Sequence, residues 1–325
     1  MTTNWIYRIA VLVLSAAELC LASGNAVAQS YPSRQITFIV PYGPGTGNDI
    51  IARIISQNVT ERWGHPMVVE NRPGATGGIG LEATRNAPPD GHTIVIASTS
   101  QIINQHVSKV RYNLLRDFAP VSLAGAVANV IAVGSDSPAK TIKDLVAMAK
   151  AKPGKLNYGA SVGSVQQFMG VMLMSAGGVD ITMIPYKSTP DVEADVVAGR
   201  VEIMFTTVAT AVRLVKTGSI RVLGVTGDKR AAVLPDVPTM AEAGFPTLSR
   251  SGKFYILGPA GTPKPIITAL NGEIVKAIAT QEVRDRLAAA GVEPESSSPE
   301  EATAVLRSEV ARWGKIVKES GVHLE

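Results

Sequence analysis

The chain has 325 residues, carries 31 Lys and Arg against 27 Asp and Glu for a net charge of +4, and contains one cysteine, Cys20. So mild and dispersed a positive excess, with no Lys/Arg run and no basic-aromatic stripe, argues against a nucleic-acid partner. A single cysteine excludes an intramolecular disulfide and a thiolate metal cluster.

In chain order, Arg8 precedes an apolar stretch over residues 9–22, interrupted by Glu18 and shorter than a comfortable membrane span. Ala26-Val27-Ala28 follows with the small-x-small pattern of a signal-peptidase site. These features predict a leader over 1–28, cleaved after Ala28 and leaving 297 residues without cysteine. Leu19 stands before Cys20, where a lipoprotein site requires a small residue. The remaining length exceeds the usual single-domain size and predicts two lobes, with no second segment of membrane-spanning length.

The apolar run 36–40 predicts a strand that breaks into a turn holding Gly43, Gly45 and Gly47 and reopens as a helix over 49–62, with Ile50, Ile51, Ile54, Ile55 and Val59 on one face. Glycine lets the backbone approach a ligand closely, and a helix start offers unpaired N–H groups with a partial positive charge. The pattern predicts a loop for carboxylate or phosphate. It lacks the Lys-Ser/Thr of a P-loop and the spacing of a dinucleotide fingerprint.

A short strand over 67–69 completes a βαβ unit, a helix through Thr84 follows, and the apolar run 92–97 is a second buried strand ending at Ser98-Thr99-Ser100. This alternation predicts a parallel α/β sheet with ligands beyond the carboxyl ends of its strands. A long β-prone segment over 121–133 leads into a second lobe. There the predicted elements are helices over 141–150, 191–198 and 209–216 and strands over 156–160, 183–186, 201–206 and 220–226. The strand at 156–160 runs into Ser161-Val162-Gly163 and a helix through Met174, repeating the opening motif. A strand over 254–257 and helices over 265–280, 281–290 and 299–318 complete the chain.

Several runs together carry a resemblance. They are 39–49 (Ile-Val-Pro-Tyr-Gly-Pro-Gly-Thr-Gly-Asn-Asp), 69–75 (Val-Glu-Asn-Arg-Pro-Gly-Ala), Pro89-Asp90-Gly91, 117–120 (Asp-Phe-Ala-Pro), 152–158 (Lys-Pro-Gly-Lys-Leu-Asn-Tyr), 184–187 (Ile-Pro-Tyr-Lys), 234–239 (Leu-Pro-Asp-Val-Pro-Thr) and 259–263 (Pro-Ala-Gly-Thr-Pro). In order and spacing the chain resembles the Bug-type extracytoplasmic receptors, the substrate-binding proteins of tripartite tricarboxylate transporters. The resemblance implies an α/β Venus-flytrap fold of type II kind, two lobes each built on a mostly parallel sheet flanked by helices. Lobe 1 is expected over 29–129 plus 251–325 and lobe 2 over 130–250, with a small carboxylate in the cleft between them. It further implies a periplasmic, non-catalytic monomer without cofactor or metal, working with the membrane subunits of such a transporter.

Carried onto this chain, the first loop supplies Tyr42, Gly45, Thr46, Gly47, Asn48 and Asp49, and the second supplies Ser161, Gly163, Ser164 and Gln166. Ser161 and Ser164 read equally well as helix caps, and Asp49 as a first-turn acid complementing the helix dipole. Thr99 and Ser100 close one side, while Tyr42, Tyr186 and Phe254 are the aromatic candidates, each also fit for the core. Ligand choice is expected where the chain departs from its relatives. Thr206-Thr207 replaces Asp-Asn, Thr46 a glycine, Asn48 a threonine and Gln167 a histidine, and the second loop is one residue short. Lys253 stands where an aromatic precedes Phe254, and reads either as a partner for a second carboxylate or as a solvated lysine at a lobe edge.

Two other function classes compete with this reading. Gly159-Ala160-Ser161-Val162-Gly163 is a G-x-S-x-G string in a strand-turn-helix setting, but the one histidine after it is His323, next to the terminus and poorly fixed as a general base. His65, His92 and His106 are isolated and lack metal-ligand spacing. A ligand sensor for a signalling receptor uses the same lobe pair, and the sequence leaves it open beside transport.

Overall fold

The computed structural model describes residues 31–322 other than Lys187. The leader, its cleavage after Ala28, Cys20 and His323 lie outside the described residues.

The first lobe starts with β1 (Ile36–Val40), α1 (Gly47–Trp63), β2 (Met67–Asn71), α2 (Gly78–Arg85), β3 (Thr93–Ser98), α3 (Thr99–Val107) and β4 (Phe118–Val127). Strand β1 is apolar because it is central, paired in parallel with β2 on one side and β3 on the other, so both its faces are covered. Helix α1 buries Ile51, Ile55 and Val59 and stops at Gly64, whose φ of 70° gives the left-handed C-cap that favours glycine.

After Ala128 the chain enters the second lobe. It holds β5 (Asn129–Gly134), α4 (Ile142–Ala151), β6 (Asn157–Ala160), α5 (Val165–Gly177), β7 (Thr182–Pro185), α6 (Thr189–Val197), β8 (Ile203–Thr207), α7 (Val208–Lys216) and β9 (Ile220–Val225). Segment 226–251 brings it back to β10 (Gly252–Pro259), and α8 (Lys264–Ala279), α9 (Gln281–Ala289) and α10 (Pro299–Ser320) follow. The last helix starts with a reciprocal Ser298–Glu301 capping box and Pro299 in its first turn.

The two five-stranded sheets have matching orders, β2-β1-β3-β10-β4 and β7-β6-β8-β5-β9. In each, four strands share one direction and one opposes them, β10 in the first and β5 in the second. Topology is the reason. A chain crossing from lobe to lobe arrives at the cleft edge, where the carboxyl ends of the other strands lie, and must run the opposite way. The same crossing divides the β-prone segment 121–133 into two strands at Ala128, whose carbonyl accepts the Val208 N–H. Helix α3 was not predicted, although Ser98 and Gln101 form the capping box that signals it.

Apolar clusters cover both faces of the second sheet. A cluster of the first lobe includes Ile102, Tyr255, Leu306 and Trp313, yet also takes in Phe168 from α5.

Candidate functional site

Four strands, β1, β3, β6 and β8, lead at their carboxyl ends into helices α1, α3, α5 and α7, two in each lobe. The first turns of all four helices border one cavity of about 550 Å³. Helix α1 contributes Gly45, Thr46, Gly47 and Asn48, and α3 contributes Ser98, Thr99 and Ser100. Val165 and Gln166 come from α5, and Thr207, Ala209 and Thr210 from α7. Helix geometry leaves first-turn N–H groups without an intrahelical acceptor, and each N-terminus carries about half a positive charge. The sequence named residues at all four ends, with Thr99 and Ser100 for α3 and Thr207 for α7; Ala209 and Thr210 were missed.

The first loop is braced from behind by Asp49, only 3% exposed, whose carboxylate accepts from Gly45 N (2.9 Å), Arg53 Nε (3.0 Å) and Asn71 Nδ2 (2.8 Å). Burial alone would push this carboxyl up, but the bonds from Arg53, Gly45 and Asn71 outweigh it and hold it below the usual carboxylate value. Asp49 is off the cavity wall; it shapes the loop. Asn48 borders the cavity but turns its amide to donate to the Ile96 carbonyl at 3.3 Å. The Tyr42 hydroxyl accepts from Gln101 Nε2 at 2.6 Å, and burial pushes it above its ordinary value. Gln101 also donates to the carbonyl of Thr76, a non-glycine residue with φ of 52°.

The second loop differs. Gly163 N donates to Gln167 Oε1 at 2.7 Å and Ser164 Oγ caps the Gln167 N–H at 3.3 Å, so both groups serve their own turn. Ser161, Gly163 and Ser164 are off the cavity wall, as is Thr206, which is 1% exposed. Tyr186 is also off it and donates its hydroxyl to the Asp195 carboxylate. The expected residues brought together on the wall are Tyr42, Gly45, Thr46, Gly47, Asn48, Thr99, Ser100, Gln166, Thr207, Lys253 and Phe254.

Among the described residues Lys253 is the one formally charged residue on that wall, and Glu295 neutralises it with Nζ–O distances of 2.5 and 2.8 Å. Glu295 was missed because it lies 42 positions away in sequence. Gly291, also missed, touches the other lobe: with φ of 75°, a Cβ added there would lie 2.7 Å from Ala209 Cβ. Gly291→Ala is expected to cost about 1–3 kcal/mol in chemical unfolding and to weaken ligand binding, because the side chain wedges the rim open. An unchanged midpoint would rule this contact out as a constraint. Among the described residues no histidine is on the cavity wall, and no group of three or more His, Cys, Asp or Glu is placed to hold a metal.

Comparison with known proteins places this architecture. Residues 51–322 match the family described as "Tripartite tricarboxylate transporter family receptor". The chain belongs to this receptor family. A protein from the tcbD–tcbE intergenic region of Pseudomonas sp. strain P51 is 37% identical, with 94% of this chain and 93% of that protein aligned. BugT of Bordetella pertussis is 32% identical over 92% of this chain and 93% of its own. Among solved structures, Rpa4515 of Rhodopseudomonas palustris with adipate superposes with a TM-score of 0.77 at 32% identity, covering 90% of this chain and 99% of that one. MatC of the same organism with bound malate gives 0.73 at 27% identity, covering 88% and 100%. The Bug-type resemblance and the two-lobed α/β fold are borne out.

Proposed function

We propose that this receptor captures a small carboxylate between its two lobes and delivers it to the membrane subunits of a tripartite tricarboxylate transporter, without catalysis. One observation carries the reading: four helix N-termini from two lobes border one cavity whose single charged side chain among the described residues is already neutralised. At about 1 kcal/mol for each helix end, four supply on the order of 4 kcal/mol, roughly a thousandfold in affinity for an anion. Neutral donors also suit release, because opening the cleft separates them from the ligand without breaking a buried ion pair. The crossings at Ala128 and in segment 226–251 are the proposed hinge, with Asn129 and Thr226 bonded across them. Relatives solved with malate and adipate support the ligand class.

The working compartment is the periplasm, reached by way of the leader. Amino-terminal sequencing of the exported protein should begin at Gln29, and retention of residues 1–28 would refute the cleavage site. A thermal-shift screen of mono-, di- and tricarboxylates tests the ligand class. At a hundred times its dissociation constant, the right acid adds about 2.7 kcal/mol of stability. A chain that no carboxylate stabilises is not this receptor. Delivery is tested by uptake of the labelled acid into cells expressing the membrane subunits with and without this protein.

A further inference from the structure

Lys253, the second residue of β10, lies opposite Ala126 of β4, and Ala126 in turn pairs with Glu293 through N–O bonds of 2.9 and 2.8 Å. This register carries residues 293–295 along the outer side of β4 and delivers Glu295 to Lys253. Both carboxylate oxygens engage Nζ, and the two side chains are only 21% and 27% exposed. The base of the lysine is fixed as well, since Lys253 N donates to Thr99 Oγ1 at 3.0 Å.

We propose that Glu295 sets the charge class of the ligand: by neutralising Lys253 it makes the cavity take a monocarboxylate in preference to the matching dicarboxylate. The proposal rests on the receptor reading above. The helix N-termini meet one carboxylate. A second carboxylate that reaches Lys253 finds an ion pair with no net charge to offer. To reach the ammonium it must displace a Glu295 oxygen, which brings two carboxylates together in a partly buried place, where like charges are poorly screened. The cavity is also lined by Ile50, Val292 and Phe254, which suit a hydrocarbon end. The chemistry recognised is therefore an acid with one charged end and an apolar or neutral polar end. Glu295 acts through Lys253 and is a positioning residue.

Calorimetric titration of the full chain with matched pairs tests this, hexanoate against adipate and butyrate against succinate. The native protein is expected to bind each monoacid on the order of tenfold more tightly than its diacid. Glu295→Gln keeps the shape of the side chain but releases the lysine charge, so diacid affinity should rise about tenfold while monoacid affinity changes little. Adding Lys253→Met to that variant should abolish the gain, an outcome that a merely structural role of Glu295 would not produce. Tighter diacid binding by the native protein, or an unchanged ratio in Glu295→Gln, overturns the proposal and leaves the receptor reading standing. Failure of all four acids to bind overturns both.

Discussion

Phe168→Ala is expected to destabilise the protein by about 3–5 kcal/mol, a large part of the 5–15 kcal/mol that holds a typical domain together. Phe168 belongs to α5, in the second lobe by connectivity, yet it has no exposed surface and sits in the apolar cluster of the first lobe. Its ring meets Trp313 of α10 edge to face, with centroids 6.2 Å apart and planes at 81°. Such pairs add about 0.5–1.5 kcal/mol beyond area burial. Trp313 is itself held in place, since its Nε1 donates to Glu309 and the Arg312 guanidinium stacks 4.8 Å above its ring. The truncation therefore leaves a cavity beside a side chain that has little freedom to fill it. Function should suffer as well, because the start of α5 brings Val165 and Gln166 to the cavity wall. Urea unfolding measures the loss, and a double-mutant cycle with Trp313→Leu isolates the ring contact. A loss under about 1 kcal/mol would show that the lobes are held together elsewhere.

Local patterns made much of this fold legible. Strand β1 and helix α1 were readable because an apolar run, a glycine turn and a helical period follow one another within 28 residues, from Ile36 to Trp63. The repeat of that pattern at β6 and α5 pointed to the second lobe. Contacts that decide the site were not readable, because they depend on strand order. Strand β10 comes to lie between β3 and β4 only once the chain has crossed to the other lobe and back. That insertion places Lys253 near Glu295, while the packing of 290–292 against α7 makes Gly291 a rim residue. Serine in the second loop was ambiguous for a different reason: a cap and a ligand donor require the same residue at the same position. The structure uses Ser164 as a cap.

Asp49→Ala is expected to cost on the order of 3 kcal/mol and to raise the dissociation constant for the ligand at least about tenfold, although Asp49 is off the cavity wall. The truncation removes one acceptor and strands three donors. Arg53 is half-exposed and finds water, whereas the Gly45 N–H and the Asn71 amide lose a partner inside the loop. Gly45 has φ of 81° and is held in that shape partly by the lost bond, so the N-terminus of α1 loses its fixed aim at the cavity. A pH series separates this role from simple packing. The folded carboxyl titrates below its unfolded value of about 3.8, so its contribution is fully present above that value and disappears as pH falls through the lower, folded one. Other depressed carboxylates, Asp117 and Asp195 among them, titrate in the same acid range. The quantity to measure is therefore the difference between native protein and Asp49→Asn. That difference should be constant from neutrality down to about pH 5 and shrink below pH 4, because protonation then weakens the same bonds in the native chain. A difference independent of pH would mean that the side chain acts through its shape, and the electrostatic brace of the loop would have to be given up.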